Sequence, residues 1–405
     1  MGLVAKSIVL ISSGQPSLNP RLVKEADTLA ANGYDVTALY SYWNDWGSKF
    51  DKTLLPAKNW KAICIGGDPD RKPVVYFLSR LIHKVAREIN KATNGKIFAD
   101  LAIARTGYFL IRAAKKHKAD IYIGHNAGAL PALVKAAKAN RKPCGFDAED
   151  FHRNEVSNNK DNLDVLIKSR LEEKYFSNLS YISTSSPLIA SAYTRLFSKL
   201  APEVILNVFP TDKRISKPVQ NNIGPIKLFW FSQTVGQGRG LEEVINAIKT
   251  FESDTYELHL LGYPDVSFKL TENKNFYFYA PIPPDELINF ASQFDIGLAV
   301  ETGIPLNRDI CLTNKIFTYI QAGLCVVASD TSAQTQLLDK YPRIGKIYEK
   351  NNQQSLADVL LYYHQHRNEL FDARTAAFEA GRNDLNWENE SKKVLKLVKN
   401  TLNDK

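Results

Sequence analysis

Three glycines at alternate positions, Gly236, Gly238 and Gly240, flank Arg239 in the stretch Ser232–Glu243, which reads SQTVGQGRGLEE. A strand-like apolar run precedes it and a helical pattern follows, so the stretch joins a strand to a helix. Glycine lets backbone approach a ligand closely, a helix start offers unpaired N–H groups, and a guanidinium forks onto pairs of oxygens. That combination suits a diphosphate, against the plainer alternative of a glycine-rich surface turn. A dinucleotide fingerprint fits less well: the spacing is GxGxG with Leu241 in the sixth place, and it lies mid-chain instead of opening a first βαβ unit.

A second cluster is Cys311–Asp330, CLTNKIFTYIQAGLCVVASD. Thr313 can cap a short helix that Gly323 ends, which puts Asn314 and Lys315 in its first turn. A cation there opposes the helix macrodipole, so Lys315 reads better as an anion ligand than as a helix stabiliser. A third cluster is Asp147, Glu149, Asp150, His152 and Glu155 in GFDAEDFHRNE, at the end of a strand. Alternation sends Asp147 and Glu149 to one side, where acids and an imidazole can bind acceptor hydroxyls or supply a base. A solvated acidic loop balanced by Arg153 and Lys160 accounts for the same residues equally well, and the spacing matches no dedicated metal site. His125 ends a strand in IYIGHNAGALP; Asn126 and the small residues after it favour a cleft position over a structural one.

The elements that must hold these residues alternate from end to end. Strand-like runs at Ser7–Ile11, Asp35–Tyr40, Lys61–Ile65, Asp120–Gly124, Cys144–Asp147 and Tyr181–Thr184 are separated by helical patterns, and the alternation restarts at Ile226–Phe231, Glu257–Leu261, Asp295–Val300 and Val326–Ser329. Such βαβ repetition predicts parallel sheets covered by helices on both faces. Asn19 and Pro20 start the first helix and Gly33 ends it. Pro210–Pro225 has no periodicity and reads as a linker. With 405 residues and 44% hydrophobic content, the chain is expected to form two cores. The expected domains are residues 1–212, residues 213–384, and a helical tail at 385–405 that packs back on the first domain. Ligands of open α/β sheets bind at the carboxyl ends of strands, so two such sheets should present their sites across a cleft.

Charge and cysteine content narrow the setting. Between Arg71 and Ala119 there are twelve Lys and Arg against Glu88 and Asp100, so this stretch accounts for the chain's whole net charge of +9. A basic character confined to one segment argues against a nucleic-acid-binding protein. Phe77, Leu81, Ile82 and Val85 share one side of a helix in that segment, either to pack on the first sheet or to lie on an anionic membrane. Cys64, Cys144, Cys311 and Cys325 form no CxxC pair and read as free thiols. No run reaches the ~20 apolar residues of a spanning helix, and the apolar run after Lys6 is too short for a signal peptide. A cytoplasmic protein, peripheral at the inner membrane face if the basic segment meets lipid, is expected.

NKIFTYIQAGLCVVASD, with GRGLEEVINAI and ELHLLGY, resembles the nucleotide-binding half of GT-B glycosyltransferases, nearest to glycosyltransferase family 4. SIVLISSGQPSLNPRLVKEADTLAANGYDVTAL and SSPLIASAYTRL are similar to that family's opening loop and helix and to a later helix of its first domain. The resemblance covers nearly the whole chain apart from the basic segment. It implies the GT-B fold, α/β, with two Rossmann-like doubly wound domains facing across a cleft, the acceptor on the first and the nucleotide sugar on the second. It implies transfer of a sugar from a nucleoside diphosphate sugar to a hydroxyl of a glycan or lipid-linked acceptor and a role in bacterial cell-surface polysaccharide synthesis. It favours retention at the anomeric carbon, whereas the acidic cluster near Asp150 would suit a base in an inverting enzyme.

In that reading Arg239 and Lys315 meet the diphosphate, His125 contacts the sugar, and Gly14, Gly238, Gly240, Gly262, Glu301, Asn314 and Thr318 surround the donor. Electrostatic stabilisation of the leaving diphosphate by these groups needs no metal and no cofactor. Two departures from the family are visible. Its paired glutamates are absent, Ile310 and Thr318 standing in their places with Glu301 the nearest acid, and Gln233 stands where relatives often have arginine. They leave open a noncatalytic protein that binds a nucleotide sugar or glycan.

Overall fold

The computed structural model describes residues 5–220, 223–265 and 274–403. Their contacts divide the chain into two compact units. The first runs up to Ile205 and also takes in Pro305–Asn307 and the chain from Ser391; the second comprises Leu206–Ile304 and Arg308–Glu390.

The first unit is built on a sheet of seven strands: Ser7–Ser12 (β1), Asp35–Ser41 (β2), Lys61–Ile65 (β3), Ile121–His125 (β4), Cys144–Ala148 (β5), Tyr181–Thr184 (β6) and Glu203–Val204 (β7). Every pairing is parallel, in the order β3-β2-β1-β4-β5-β6-β7. Because helices cover both faces of a parallel sheet, its central strands read as continuous apolar runs, and Ile8, Leu10, Ile11, Ile121 and Ile123 are all fully buried. The helix Pro20–Ala31 starts as its residues require: Asn19 Oδ1 accepts from Leu22 N at 3.0 Å and Pro20 takes the first position.

In the second unit the strands are Ile226–Val235 (β8), Tyr256–Pro264 (β9), Phe276–Tyr279 (β10), Ile296–Ala299 (β11), Cys325–Ser329 (β12) and Gly345–Tyr348 (β13). They too pair only in parallel, in the order β10-β9-β8-β11-β12-β13. Trp230, Leu258, Leu298 and Val327 lie at the centre of its core. The short strands β7 and β13 carry no clear apolar signature, whereas β10 is wholly aromatic; Tyr277 and Phe278 of β10 are exposed, as an edge strand allows.

Candidate functional site

In each sheet the chain builds outward from a middle strand and then returns to its other side. That reversal falls between β1 and β4 in the first unit and between β8 and β11 in the second. Loops leaving the two strands at such a point run in opposite directions and leave a crevice at their carboxyl ends.

The second unit's crevice opens between the loop of residues 236–240 and the segment that follows β11. A cavity of about 410 Å³ lies there, lined by Gly238, Gly240, Glu242, Glu301, Thr302 and Asn351 among others. Gly240 takes a left-handed conformation, φ 80°, and caps the helix Leu241–Ile248; a Cβ on it would sit 3.0 Å from the Val300 side chain. Gly262 is held more tightly, since a Cβ would meet Ser232 O at 2.3 Å where β9 crosses the irregularity in β8. The loop N–H groups are not all without partners, as the sequence suggested: Gly238 N donates to Glu242 Oε1 at 2.8 Å. The Glu242 carboxylate thus already satisfies the Gly238 N–H.

Two cations stand over one side of β8. Arg239 Nη1 donates to Ser232 Oγ at 3.1 Å, and no carboxylate lies within ion-pair distance of Arg239 among the described residues. Lys315 Nζ lies 5.8 Å from the Trp230 ring centre and pairs with Glu301 Oε1 at 2.5 Å. Trp230 and Ser232 are two residues apart on the strand, which points both contacts the same way. The Lys315–Glu301 pair explains how a lysine survives in the first turn of the helix Asn314–Ala322: Glu301 supplies the countercharge that the helix end does not. Glu301 is in turn positioned by Ser329, whose Oγ accepts from Glu301 N at 2.9 Å.

Asn314 opens that helix half-buried, and Gly323 closes it at φ 71°. Thr313 stands at the cap position, but its hydroxyl makes no capping bond. The donor role implied for Thr318 needs a correction. Its side chain is fully buried, and Oγ1 donates to Asn314 O at 3.0 Å, one turn back along its own helix. Arg308 was not visible in the sequence as a site residue. Its Nη1 donates to Gly238 O at 3.4 Å and adds a third cation beside the glycine loop.

The first unit's crevice is bordered by the loops after β1 and β4. Asn126 spans them in a left-handed conformation, φ 63°: its Oδ1 accepts from Ser13 Oγ at 2.6 Å and its Nδ2 donates to Ser12 Oγ at 3.1 Å. Gly14 follows, its N donating to Ser12 Oγ at 3.1 Å, and a Cβ on it would only come into van der Waals contact with that oxygen, at 3.9 Å.

His125 does not face this crevice, contrary to the expectation from its place at a strand end. It is 0% exposed. Aligned pairing sets Ser12, His125, Asp147 and Ser183 in one row across β1, β4, β5 and β6, so their side chains share a face of the sheet. Against that face the helix Pro20–Ala31 presents Arg21 and Glu25, one turn apart. Arg21 forks onto Asp147, Nη2 donating to Oδ1 at 2.7 Å and Nε to Oδ2. His125 Nε2 lies 2.9 Å from Glu25 Oε2 and Nδ1 lies 3.4 Å from Asp147 Oδ2. These are charge contacts whose angles fall short of hydrogen bonds. Burial opposes the imidazolium, but Glu25 and Asp147 outweigh it and lift His125 to about 10. Asp147 thus belongs to a buried lattice of alternating charge and is not free to bind an acceptor or act as a base.

Its neighbours remain candidates. Burial, then Asp150 and Asp147, push Glu149 up to about 7, which lets this half-buried carboxyl exchange a proton near neutral pH. Asp150 is also raised, by burial and by Glu155. His152 is buried, with Nδ1 3.4 Å from Glu155 Oε2, and burial is outweighed there by Glu155, which raises the imidazole. Lys168 balances this loop through Glu155 at 2.7 Å, whereas Arg153 turns to Glu172 at 2.6 Å. Among the described residues, Glu25, His125 and Asp147, and likewise Asp150, His152 and Glu155, lie close enough to share a cation. Arg21 already occupies Asp147 in the first group and Lys168 occupies Glu155 in the second, so both sets carry a countercharge from the protein itself.

No protein-family model and no curated protein matches the chain. Solved structures do. HepE from Anabaena, crystallised in complex with UDP, is 14% identical with a TM-score of 0.69, covering 98% of this chain and 100% of its own. Sucrose-phosphate synthase from Thermosynechococcus elongatus is 14% identical with a TM-score of 0.67 over 99% of this chain and 100% of that one. A variant of S. aureus TarM in complex with fondaparinux, α-GlcNAc-glycerol and UDP is 10% identical, again with a TM-score of 0.67, over 98% and 100%. Likeness of this extent, with the two parallel sheets described above, shows the GT-B fold.

Proposed function

We propose that this protein is a glycosyltransferase that moves a sugar from a nucleoside diphosphate sugar to an acceptor hydroxyl. The observation that carries the reading is the pair of cations beside the glycine loop at the second unit's strand-order reversal, Arg239 on Ser232 and Lys315 on Glu301, next to a cavity lined by Gly238, Gly240 and the acids Glu242, Glu243 and Glu301. The leaving diphosphate gains negative charge as the glycosidic bond breaks, and fixed cations stabilise it most at that moment. Arg239 meets it directly. Lys315 exchanges Glu301 for a phosphate oxygen, and the released carboxylate is then free to accept a bond from a donor hydroxyl. Asn314, Gly238 and Gly240 complete the donor's surroundings. The complexes of HepE and TarM with UDP support a nucleotide ligand and make UDP the first to try. The sequence resemblance favours glycosyltransferase family 4 and retention at the anomeric carbon on a glycan or lipid-linked acceptor, whereas a base in the acidic cluster of the first unit would suit inversion. Glu149 is the base candidate on the acceptor side.

Incubation with a panel of UDP-, GDP- and dTDP-sugars tests the reading, with release of free nucleoside diphosphate as the expected result and the active sugar naming the donor. One observation favours a second reading: Thr318, at the place of the family's second glutamate, turns its hydroxyl into its own helix and offers nothing to a donor. A nucleotide sugar that binds in calorimetry but releases no diphosphate would establish a noncatalytic binder.

The cations of the second unit also make a metal dispensable in this chemistry. Enzyme treated with EDTA is expected to keep most of its turnover. Complete loss, restored by Mg²⁺ or Mn²⁺, would shift attention to Asp150, His152 and Glu155.

A further inference from the structure

The helix Pro73–Ala92 is packed the opposite way round from an ordinary surface helix. Its buried positions are small or polar, Ser79, Ala86 and Asn90, and polar contacts hold it down. Asn90 Nδ2 donates to Ile97 O at 2.7 Å, His83 Nε2 lies 3.0 Å from Ala102 O, and Arg87 pairs with Asp164 at 2.9 Å. Its apolar stripe faces outward. Val74 is 78% exposed, Phe77 67% and Leu81 58%, with Leu78 and Val85 at about half. The packing of this stripe on the sheet, one of the two outcomes open from the sequence, is therefore not what forms. The stripe runs for about 18 Å of helix. The turn beyond it adds Ile97 and Phe98, both about half exposed, with Phe98 in a left-handed conformation at φ 59° that an aromatic residue rarely adopts.

Charge decides what such a face meets. Lys84 and Lys91, two turns apart, run along one edge of the stripe, and Arg71 and Lys72 stand exposed at its start. Glu88, the single acid on the helix, is exposed on the same side one turn beyond Val85, between the stripe and the turn to Phe98. Beside Phe98 a cavity of about 720 Å³ is lined by Lys96, Lys135, Arg170 and Lys174 against Asp100 and Glu173. A protein-binding face is typically enriched in Trp, Tyr, Phe, Met and Arg and depleted in Lys. Here Val, Leu and Phe are rimmed by lysine, which is the composition of an element lying in a lipid interface. No helix among the described residues is long and apolar enough to cross a membrane.

We infer that the outer face of Pro73–Ala92, with the turn to Phe98, seats on an anionic lipid bilayer. Val74, Phe77, Leu81 and Val85 enter the boundary between headgroups and acyl chains, while Lys84, Lys91 and Lys96 meet lipid phosphates. The inference deepens the acceptor side of the proposed function, and it rests on that reading only for why the enzyme should be at a membrane.

The test is cosedimentation of the full chain with phosphatidylcholine vesicles and with vesicles that also contain phosphatidylglycerol, at low and high salt. Binding is expected only to the anionic vesicles and fades as salt rises. Phe77→Ser with Leu81→Ser, and separately Lys84→Glu with Lys91→Glu, each weaken it about tenfold or more. Arg87 is left intact because its pair with Asp164 holds the helix in place. All four substituted side chains are exposed or at the rim, so melting temperatures serve as a check that the variants fold. Wild-type protein left in the supernatant with both vesicles at low salt overturns the inference, as does anionic binding that neither variant weakens. Self-association in sedimentation velocity that Phe77→Ser with Leu81→Ser abolishes, without vesicle binding, assigns the face to a second copy instead. Nucleotide release measured without lipid judges the transfer reading separately.

Discussion

Arg239→Ala is expected to lower kcat/KM by about 10²-fold or more while leaving the fold intact, the loss that follows removal of one preorganised electrostatic partner. The residue is half-buried and among the described residues its side chain hydrogen-bonds only Ser232, so its truncation leaves neither a core cavity nor an orphaned charge there. Lys315 needs a different design. Its side chain and that of Glu301 are almost wholly shielded, and truncating the lysine alone strands a carboxylate. Lys315→Gln combined with Glu301→Gln removes both charges together and isolates the effect on the reaction. The pair of substitutions is expected to cost about 10²-fold in turnover with a near-normal melting temperature. Wild-type kcat/KM in a folded Arg239→Ala protein, measured with the donor the screen identifies, would show that the diphosphate lies elsewhere.

The glycine loop was legible because its signal is local: an apolar, aromatic-rich run, glycines at alternate places and a helical pattern follow one another within about twenty residues, and the chain must turn there. Lys315 was legible for a related reason, since a lysine in the first turn of a helix has no local stabilising role and its purpose must be sought in space. What the sequence did not carry is which partner a side chain meets from another element. Arg21 and Glu25 sit on the buried side of a helix otherwise lined by Leu22, Ala26 and Leu29, and that pair of charges at a spacing of four was the available sign that the sheet must answer with Asp147 and His125. Arg308 gave no sign of its own, because its approach to Gly238 depends on how the segment after β11 folds. The helix Pro73–Ala92 shows the same limit in reverse. Its apolar stripe was plain from spacing, but whether a stripe faces in or out depends on what the opposite side can bond, and Asn90, His83 and Arg87 settle that only once Ile97, Ala102 and Asp164 are in place.

His125→Ala is expected to destabilise the first unit by about 3–5 kcal/mol, the range found when one partner of a buried ion pair is removed. The lattice it belongs to is balanced, Arg21 and the imidazolium against Glu25 and Asp147, all within the sheet–helix interface. Loss of the ring leaves two buried carboxylates facing one guanidinium, with a cavity besides. The effect carries its own pH signature. The folded-state pKa of about 10 lies above the unfolded value of 6.5, so this contribution is complete below pH 6.5, declines above it and vanishes as pH passes 10. Other groups titrate in the same window: Glu149, raised to about 7, and Lys24, lowered to about 7 by burial and by Arg21, change stability in opposite directions there. The difference in unfolding free energy between wild type and His125→Ala is therefore the quantity to follow, by urea melts from pH 6 to pH 10. It should be largest near pH 6 and shrink steadily toward pH 10. Activity per folded molecule should hold, because a ring buried behind the helix Pro20–Ala31 does not reach a donor sugar. A variant that is as stable as wild type across this range but has lost transfer would restore His125 to the reacting groups, and would mean that the helix moves aside when substrate binds.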